Sequence, residues 1–525
     1  MCGSGSEIII QNRFATFNDN HFFGCIDMWK GLQVNSSIIQ FINNTFKDAE
    51  FAINHKNGLS TYLGNNKFYN NIVGYYVPIN TTGPNTSIIR GNKFSQNLTL
   101  KSKYEGQQHY YDNSHAGILI HKSSNTVITD LNEFSNLTNG ILIQRSKVIT
   151  DNNIFNDVFG TTLITDNFWK SEGFSILDIN NLKSTHIFNN IERATNGIVT
   201  LQGLNGDIQI KNNIISEVFE NGVYSGNIAF STINISDNIF NNPWSLSGIP
   251  RNITHVYSAR NHFSNQTLED NVLTSSANSP VFFYVIDNTS SFVIQDNESN
   301  GNVTNGFVGL NFGHTGRIIS NNFYTTNPAQ NTNGMFLSNA SNLMIAKNTF
   351  SGFNSGNQHR EVNNAILCSN VFENNDVGYL TTTVNNVHFL TENRFYNNNL
   401  SLELGPLSNI FVQPHLGNIW GVGEEVLNEN LETDTRFVID YFDIPSCQNP
   451  PSNFIPSPQI NRDQFFLDRT GDTPPCGSNL PCTFNLHIPE ITNICDLDTT
   501  YLKNLELAIM GLTDTTLTEC NILHK

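Results

Sequence analysis

Two stretches of the chain carry most of the side chains that chemistry would need. "NLTLKSKYEGQQHYYDNSH" at 97–115 gathers Tyr110, Tyr111 and Asp112, and "DVFGTTLITDNFWKSEG" at 157–173 supplies Asp166, Trp169, Lys170 and Glu172. Cleaving a glycosidic bond takes paired carboxylates as acid and base. Asp112, Asp166 and Glu172 are the residues for acid, base or metal duty, with Lys170 steadying negative charge. Tyr110, Tyr111 and Trp169 offer ring faces on which sugars stack. The plainer reading is that these aromatics close large loops down onto the body of the protein, since loops need small cores of their own. A similar group, His21, Phe22, Phe23, Asp27, Trp29 and Lys30, stands near the start.

The rest of the inventory is thin. In "FGHTGRIIS" at 312–320, His314 and Arg317 share one exposed face but lack partner aspartates. Asp130, Asp151, Asp237 and Asp296 stand beside a repeated motif. Asp130 and Asp151 would stack roughly 4.8 Å apart and repel, unless a cation or a raised pKa relieved them. Calcium takes about six to eight oxygens, more than two aspartates provide. The expectation is therefore solvated turn residues and no cofactor, with Ca2+ as the alternative. No serine, cysteine or histidine arrangement suggests a nucleophile, and metal-type histidine spacing is missing.

A net charge of −18 with no basic stripe argues against nucleic acid, whose phosphates are bound by lysine and arginine. No apolar run is long enough to span a bilayer. "MCGSGSEIII" does not read as a signal peptide and begins in mid-repeat, which suggests a truncated or processed chain. Of eight cysteines, Cys447, Cys476, Cys482, Cys495 and Cys520 cluster near the end, as disulfides in an oxidising compartment would.

What must position the loops is a repeat. Asparagine accounts for 83 of the 525 residues, far above ordinary usage. Aligned on Asn-x-Phe, sixteen asparagines recur: Asn12, Asn44, Asn66, Asn92, Asn132, Asn153, Asn189, Asn213, Asn238, Asn261, Asn297, Asn321, Asn348, Asn370, Asn393 and Asn418. Twelve are followed two residues on by phenylalanine; the exceptions are Ile191, Ile215, Ser299 and Trp420. Eleven of the fifteen intervals fall between 21 and 27 residues, a solenoid period. Short alternating runs such as "GILIQ" and "SKVIT" make strands, about three to a coil, stacked into parallel sheets. The asparagines then form a column at one corner, taking the left-handed backbone there and bonding from coil to coil. The phenylalanines form an inward ring column.

Glycine recurs eight residues after several of these asparagines, at Gly74, Gly140, Gly197, Gly356 and Gly378. Measured to that glycine, the four longest repeats insert their extra residues at one corner: after Asn12, Asn92 and Asn153, and in the tenth repeat as "SNQTLEDNVLTSSANS".

The pattern resembles the right-handed parallel β-helix of the pectate-lyase-like group, more closely the asparagine-rich repeats of bacterial secreted and surface proteins, over about residues 7–420. The resemblance implies an all-β right-handed parallel β-helix solenoid of about 16 coils at 1–420. Residues 421–525 would be a cap or linker with cysteines and a short helix at "LDTTYLKNLELAIMG". It also implies an extracellular or cell-surface protein with a polysaccharide or surface glycan as partner. The expected function is non-catalytic: glycan binding or a rigid adhesin-like scaffold. The alternative is a polysaccharide lyase, hydrolase or epimerase of that group. Fold alone does not decide between them.

Overall fold

The computed structural model describes residues 5–428, except for 12, 36–37, 79–83, 103–113, 122–125, 160–172, 180–182, 202–205, 243–252, 262–263, 277–280, 288–290, 313–315, 327–330, 384–385, 392, 411, 414–417, 419 and 421–424, together with 436–439 and 466–468. Among the described residues every strand pairing is parallel and no helix occurs. The chain is a right-handed parallel β-helix.

One coil shows the plan. Asn139–Gln144 belongs to a first sheet, Lys147–Asp151 to a second and Ile154–Val158 to a third. Each pairs in register with the equivalent strand one coil earlier; Thr126–Asp130, for instance, lies against Lys147–Asp151 residue for residue. Alternate side chains point inward, so Ile141 and Ile143 join the core that runs the length of the tube.

The solenoid makes about 14 turns, against the sixteen coils expected. The motif count exceeded the turns because coil-to-coil steps, not motifs, measure the advance; two rungs also lie on other asparagines than the motif names, which leaves their number unchanged. Asn12 lies outside the described residues, and the place below Asn44 belongs to Asn20, whose Nδ2 donates to Asn44 Oδ1 at 3.0 Å. Between Asn238 and Asn297 the ladder runs through Asn271 (2.9 and 3.1 Å) rather than Asn261. Asn261 braces another corner, where its Oδ1 accepts the Ile228 N–H at 3.0 Å. Two supposed insertions disappear with those reassignments. His21–Phe23, Asn265–Glu269 and Val272–Ser275 are ordinary strands of the tube. The real third long interval, 33 residues from Asn238 to Asn271, takes its extra length between Ile239–Asn242 and Ile253–Ala259. That is the same corner, between third and first sheets, from which the two long loops leave.

Elsewhere the ladder follows one rule. Each asparagine's backbone N–H and Nδ2 both donate to the Oδ1 of the next coil, as Asn66 does to Asn92 at 2.9 Å each. Nδ2 also donates to a carbonyl one coil back, here Phe41 O at 2.8 Å. The left-handed backbone sits one residue earlier than expected. Asp19, Asn43, Leu131, Phe188 and Lys347, each immediately before a ladder asparagine, have φ between 52° and 58°. Leucine, phenylalanine and lysine have no liking for that region, so the buried amide behind them imposes it.

The ring column is interrupted. Rings from Phe22 to Phe155 stack at 4.5–5.0 Å, and those from Phe323 to Trp420 at 4.8–5.8 Å. Between them stand Ile191, Ile215, Phe240, Leu273 and Ser299. The recurring glycine serves this column: a Cβ on Gly140 would lie 2.6 Å from the Phe155 ring, which faces it across the same coil.

Parallel pairing continues past residue 420. Glu425–Asn428 pairs with Leu400–Leu404, and Arg436–Ile439 pairs with both Val412–Gln413 and Phe466–Asp468. The five carboxy-terminal cysteines and the expected helix lie outside the described residues.

Candidate functional site

Tyr110, Tyr111, Asp112, Asp166, Trp169, Lys170 and Glu172 all lie outside the described residues. The roots of their two loops are described, and they meet. Gln96, Asn97, Leu98 and Thr99 face Asn136, Leu137, Thr138, Asp157 and Phe159 across a cleft of about 730 Å³. Asn70 fixes the first root by accepting the Asn97 and Leu98 N–H groups at 2.8 and 3.1 Å. The cleft's carboxylate, Asp157, is ion-paired to Arg193 at 2.8 Å, and the remaining polar lining is amide and hydroxyl. Such a surface hydrogen-bonds hydroxyl-rich ligands without drawing in charge.

The fourth-coil loop also runs back toward the first coil. Lys101 Nζ pairs with Asp48 at 2.8 Å and donates to the Gly24 and Cys25 carbonyls. Leu100 packs on a second apolar cluster, with Leu119, Leu142, Leu177 and Val199 buried on the outer face of the first sheet. Of the two loops, Leu100 and Lys101 are described against this part of the tube. In the first coil, Trp29 is a core residue, 2% exposed, with Nε1 donating to Lys47 O; Phe22 stacks on Phe46. Neither ring is offered to a ligand.

The aspartates beside the ladder are structural. Asp130 and Asp151 pair in register, and Arg90 reaches Asp130 at 3.2 Å. Burial and then Asp130 raise the Asp151 carboxyl above its ordinary value. Asp237 and Asp296 occupy left-handed corners, and burial followed by Asp270 raises Asp296. Among the described residues no group of three histidine, cysteine or acidic side chains is placed to hold a metal. Arg317 lies on the second sheet between Val293 and Met344, and His314 is outside the described residues.

The sequence reading missed a file of outward residues farther along the first sheet. Successive coils place there Tyr224, which packs on the edge of the covered cluster, then the half-buried Tyr257 and Val285, the buried Val308, and the half-buried Phe336. Tyr224 lies across the sheet because Gly226 leaves room; a Cβ there would sit 2.8 Å from the ring. Tyr257 meets it edge-on at 5.2 Å. Amides stand at parts of both edges of this file. On one side Asn221 donates to the buried Asn196 and Asn333 to the buried Asn305, at 2.9 and 3.0 Å, with Thr254 and Phe282 on the rungs between the two pairs. Opposite, Asn339 donates to Asn311 and Asn311 to Asp287, at 3.1 and 3.2 Å, all exposed. Burial, with Asp287 adding to it, raises the Tyr257 phenol, while Arg260 pulls it down. A faint signal was present: "GVYSG", "HVYSA" and "GMFLS" place an aromatic at the same outward offset.

No protein-family model matches the chain, and no curated protein matches it.

Proposed function

We propose that this protein is a secreted or surface-displayed β-helix scaffold that binds glycans without transforming them. The observation that carries the reading is the floor on the first sheet from Tyr224 to Phe336, where Tyr224, Tyr257 and Phe336 stand with amides at parts of both edges. Aromatic faces stack on the C–H faces of sugar rings, and fixed amides donate to and accept from hydroxyls. The amide- and hydroxyl-lined cleft at the loop roots supports it with the same chemistry. A disulfide at Cys25 supports an oxidising location.

The test is a glycan array probed with the parent chain, a Tyr257→Ala variant and an Asn97→Ala variant, each checked for an unchanged thermal midpoint. Binding that falls at least tenfold in Tyr257→Ala supports the floor. Binding that falls only in Asn97→Ala moves the site to the cleft. No binding by the parent chain defeats the glycan reading and leaves a purely structural scaffold. Product analysis on any bound oligosaccharide decides whether chemistry accompanies binding.

A further inference from the structure

One corner of the tube sheds no loops. Between the second and third sheets the chain turns in two residues on every coil from Asp130 to Glu298, a left-handed residue and then a ladder asparagine. Across six successive coils this corner and the adjoining third-sheet strand expose one large apolar side chain each: Leu131, Ile154, Phe188, Ile214, Ile239 and Val272. Register places the four strand residues in one file, through Asn190, with Leu131 and Phe188 on the corner beside it. The stripe runs about 24 Å along the axis. Exposed polar residues such as Glu192, Asn241 and Thr274 border it.

Neither folding nor solubility accounts for this stripe. Asparagine and aspartate take the left-handed backbone readily, and do so at Asn152, Asn212 and Asp237 of the same corner. Leu131 and Phe188 adopt a conformation that bulky side chains avoid, yet remain 49% and 54% exposed. A covering partner offsets both costs. Contiguous apolar surface with a polar border is the anatomy of a protein interface.

Charge decides the partner. Toward the amino-terminal end of the stripe, the cations Lys67, Arg90 and Lys93 share their rungs and the next with two carboxylates, Asp130 and Glu133. At the other end stand Asp237, Glu269, Asp270, Asp296 and Glu298, on rungs whose second- and third-sheet strands contain no lysine or arginine. Two copies laid side by side and antiparallel bring apolar onto apolar and set the acidic end of each against the basic end of the other. A parallel pair sets five carboxylates against five. The stripe is therefore self-complementary about a twofold axis, as an isologous dimer requires. Its six side chains supply the apolar centre of a standard interface of about 800 Å² per partner, and the outward third-sheet residues supply the rim. We infer that the protein pairs with a second copy of itself, antiparallel, through the stripe from Leu131 to Val272 and without involving the first sheet of either copy.

Sedimentation equilibrium of the full chain at near-physiological salt, over a concentration series reaching about 100 µM, tests this. The mass at the upper concentrations is expected to be twice 58.7 kDa. Phe188→Asn and Ile239→Asn should each weaken self-association at least tenfold. The Phe188→Asn monomer should keep or raise its thermal midpoint, since asparagine suits the backbone there; Ile239→Asn stands as the second variant should Phe188→Asn fold poorly. Glu298→Lys should weaken an antiparallel pair about threefold, whereas it would strengthen a parallel one. A chain that stays monomeric throughout, or a dimer indifferent to both asparagine variants, overturns the inference. A dimer strengthened by Glu298→Lys overturns the antiparallel arrangement.

Discussion

Asn153 shows how much one amide does at a corner. Its Oδ1 accepts both the N–H and Nδ2 of Asn132, at 3.1 and 2.9 Å, while its own Nδ2 reaches Asn189 and the Thr129 carbonyl at 3.1 Å each. Truncation to alanine strands donors and acceptors where no water enters, at about 1–3 kcal/mol for such a loss. Urea unfolding of Asn153→Ala should show that drop, and Asn261→Ala a comparable one, because Asn261 braces a different corner just as tightly. His255 provides the pH counterpart. Neither ring nitrogen has a partner, and burial lowers its pKa from 6.5 to about 3. The folded state thus holds the neutral ring, and its contribution is fully present above pH 6.5 and is lost progressively as pH falls toward 3. Unfolding free energy measured across that range should flatten in His255→Phe; an unchanged acid limb would rule the histidine out. The ladder itself was legible in the sequence because asparagine recurs at a fixed spacing. Its left-handed residue was placed one position late because asparagine also fills the preceding position, as at Asn43, Asn65 and Asn152.

At the level of the strand, glycine and phenylalanine act as a pair across the inside of one coil. The Phe155 ring occupies the volume a side chain at Gly140 would need, and the Ser175 carbonyl approaches from the other side, also 2.6 Å from a Cβ. Replacing a strand glycine with alanine ordinarily gains stability by restricting the unfolded chain. Here overpacking should win, and Gly140→Ala should lose about 1–3 kcal/mol. The double variant Gly140→Ala with Phe155→Leu should recover part of that loss, since a narrower side chain yields the space. If the single variant is as stable as the parent in urea, the ring does not hold the position assigned to it. This pairing was half legible: glycine's spacing was visible, but its reason needed the ring fifteen residues later on the opposite wall of the coil. The errors at Asn12 and Asn261 have a related origin. "NHF" copies the local motif at Asn261, which is not a rung of the ladder, and the rung below Asn44 is Asn20 rather than a residue of the "NRF" motif; three residues cannot report which corner they occupy. Hydrogen bonds from the coils on either side decide that, and in sequence those neighbours lie more than twenty residues away.

Across the whole molecule the core is not uniform, and a solenoid makes non-uniformity matter because each coil contacts only its neighbours. The two ring stacks, Phe22 to Phe155 and Phe323 to Trp420, flank a middle stretch where the column is broken and polar groups enter the tube. Asp178, Thr200, Ser225 and Ser258 follow one another rung by rung on its inner wall. His186 meets Asp178 at 3.2 Å with both buried. Among the described residues, unpaired buried polar atoms occur here, at Thr200 Oγ1, Gln266 Nε2, Ser299 Oγ and both His255 nitrogens. They occur also in the ring-stacked ends, at Asn54 Oδ1, Ser95 Oγ, both Asn357 amide atoms and Thr381 Oγ1, so the missing rings make the main difference. An unpaired buried polar atom costs about 1–3 kcal/mol, whereas stacked rings add roughly 0.5–1.5 kcal/mol per pair beyond their burial. The balance therefore favours the ends over the middle, opposite to the fraying expected of a uniform stack. The floor from Tyr224 to Phe336 lies largely over this weaker stretch, so a ligand bridging its rungs would stabilise the coils that open most readily. Native-state hydrogen exchange in low urea should show amides of 190–300 exchanging through openings smaller than those of 40–155 and 323–404. Replacing Ser299 with phenylalanine, to rebuild one missing ring, should raise protection in the middle alone. Protection that instead falls smoothly from the centre toward both ends would mean that the polar seam costs the tube nothing.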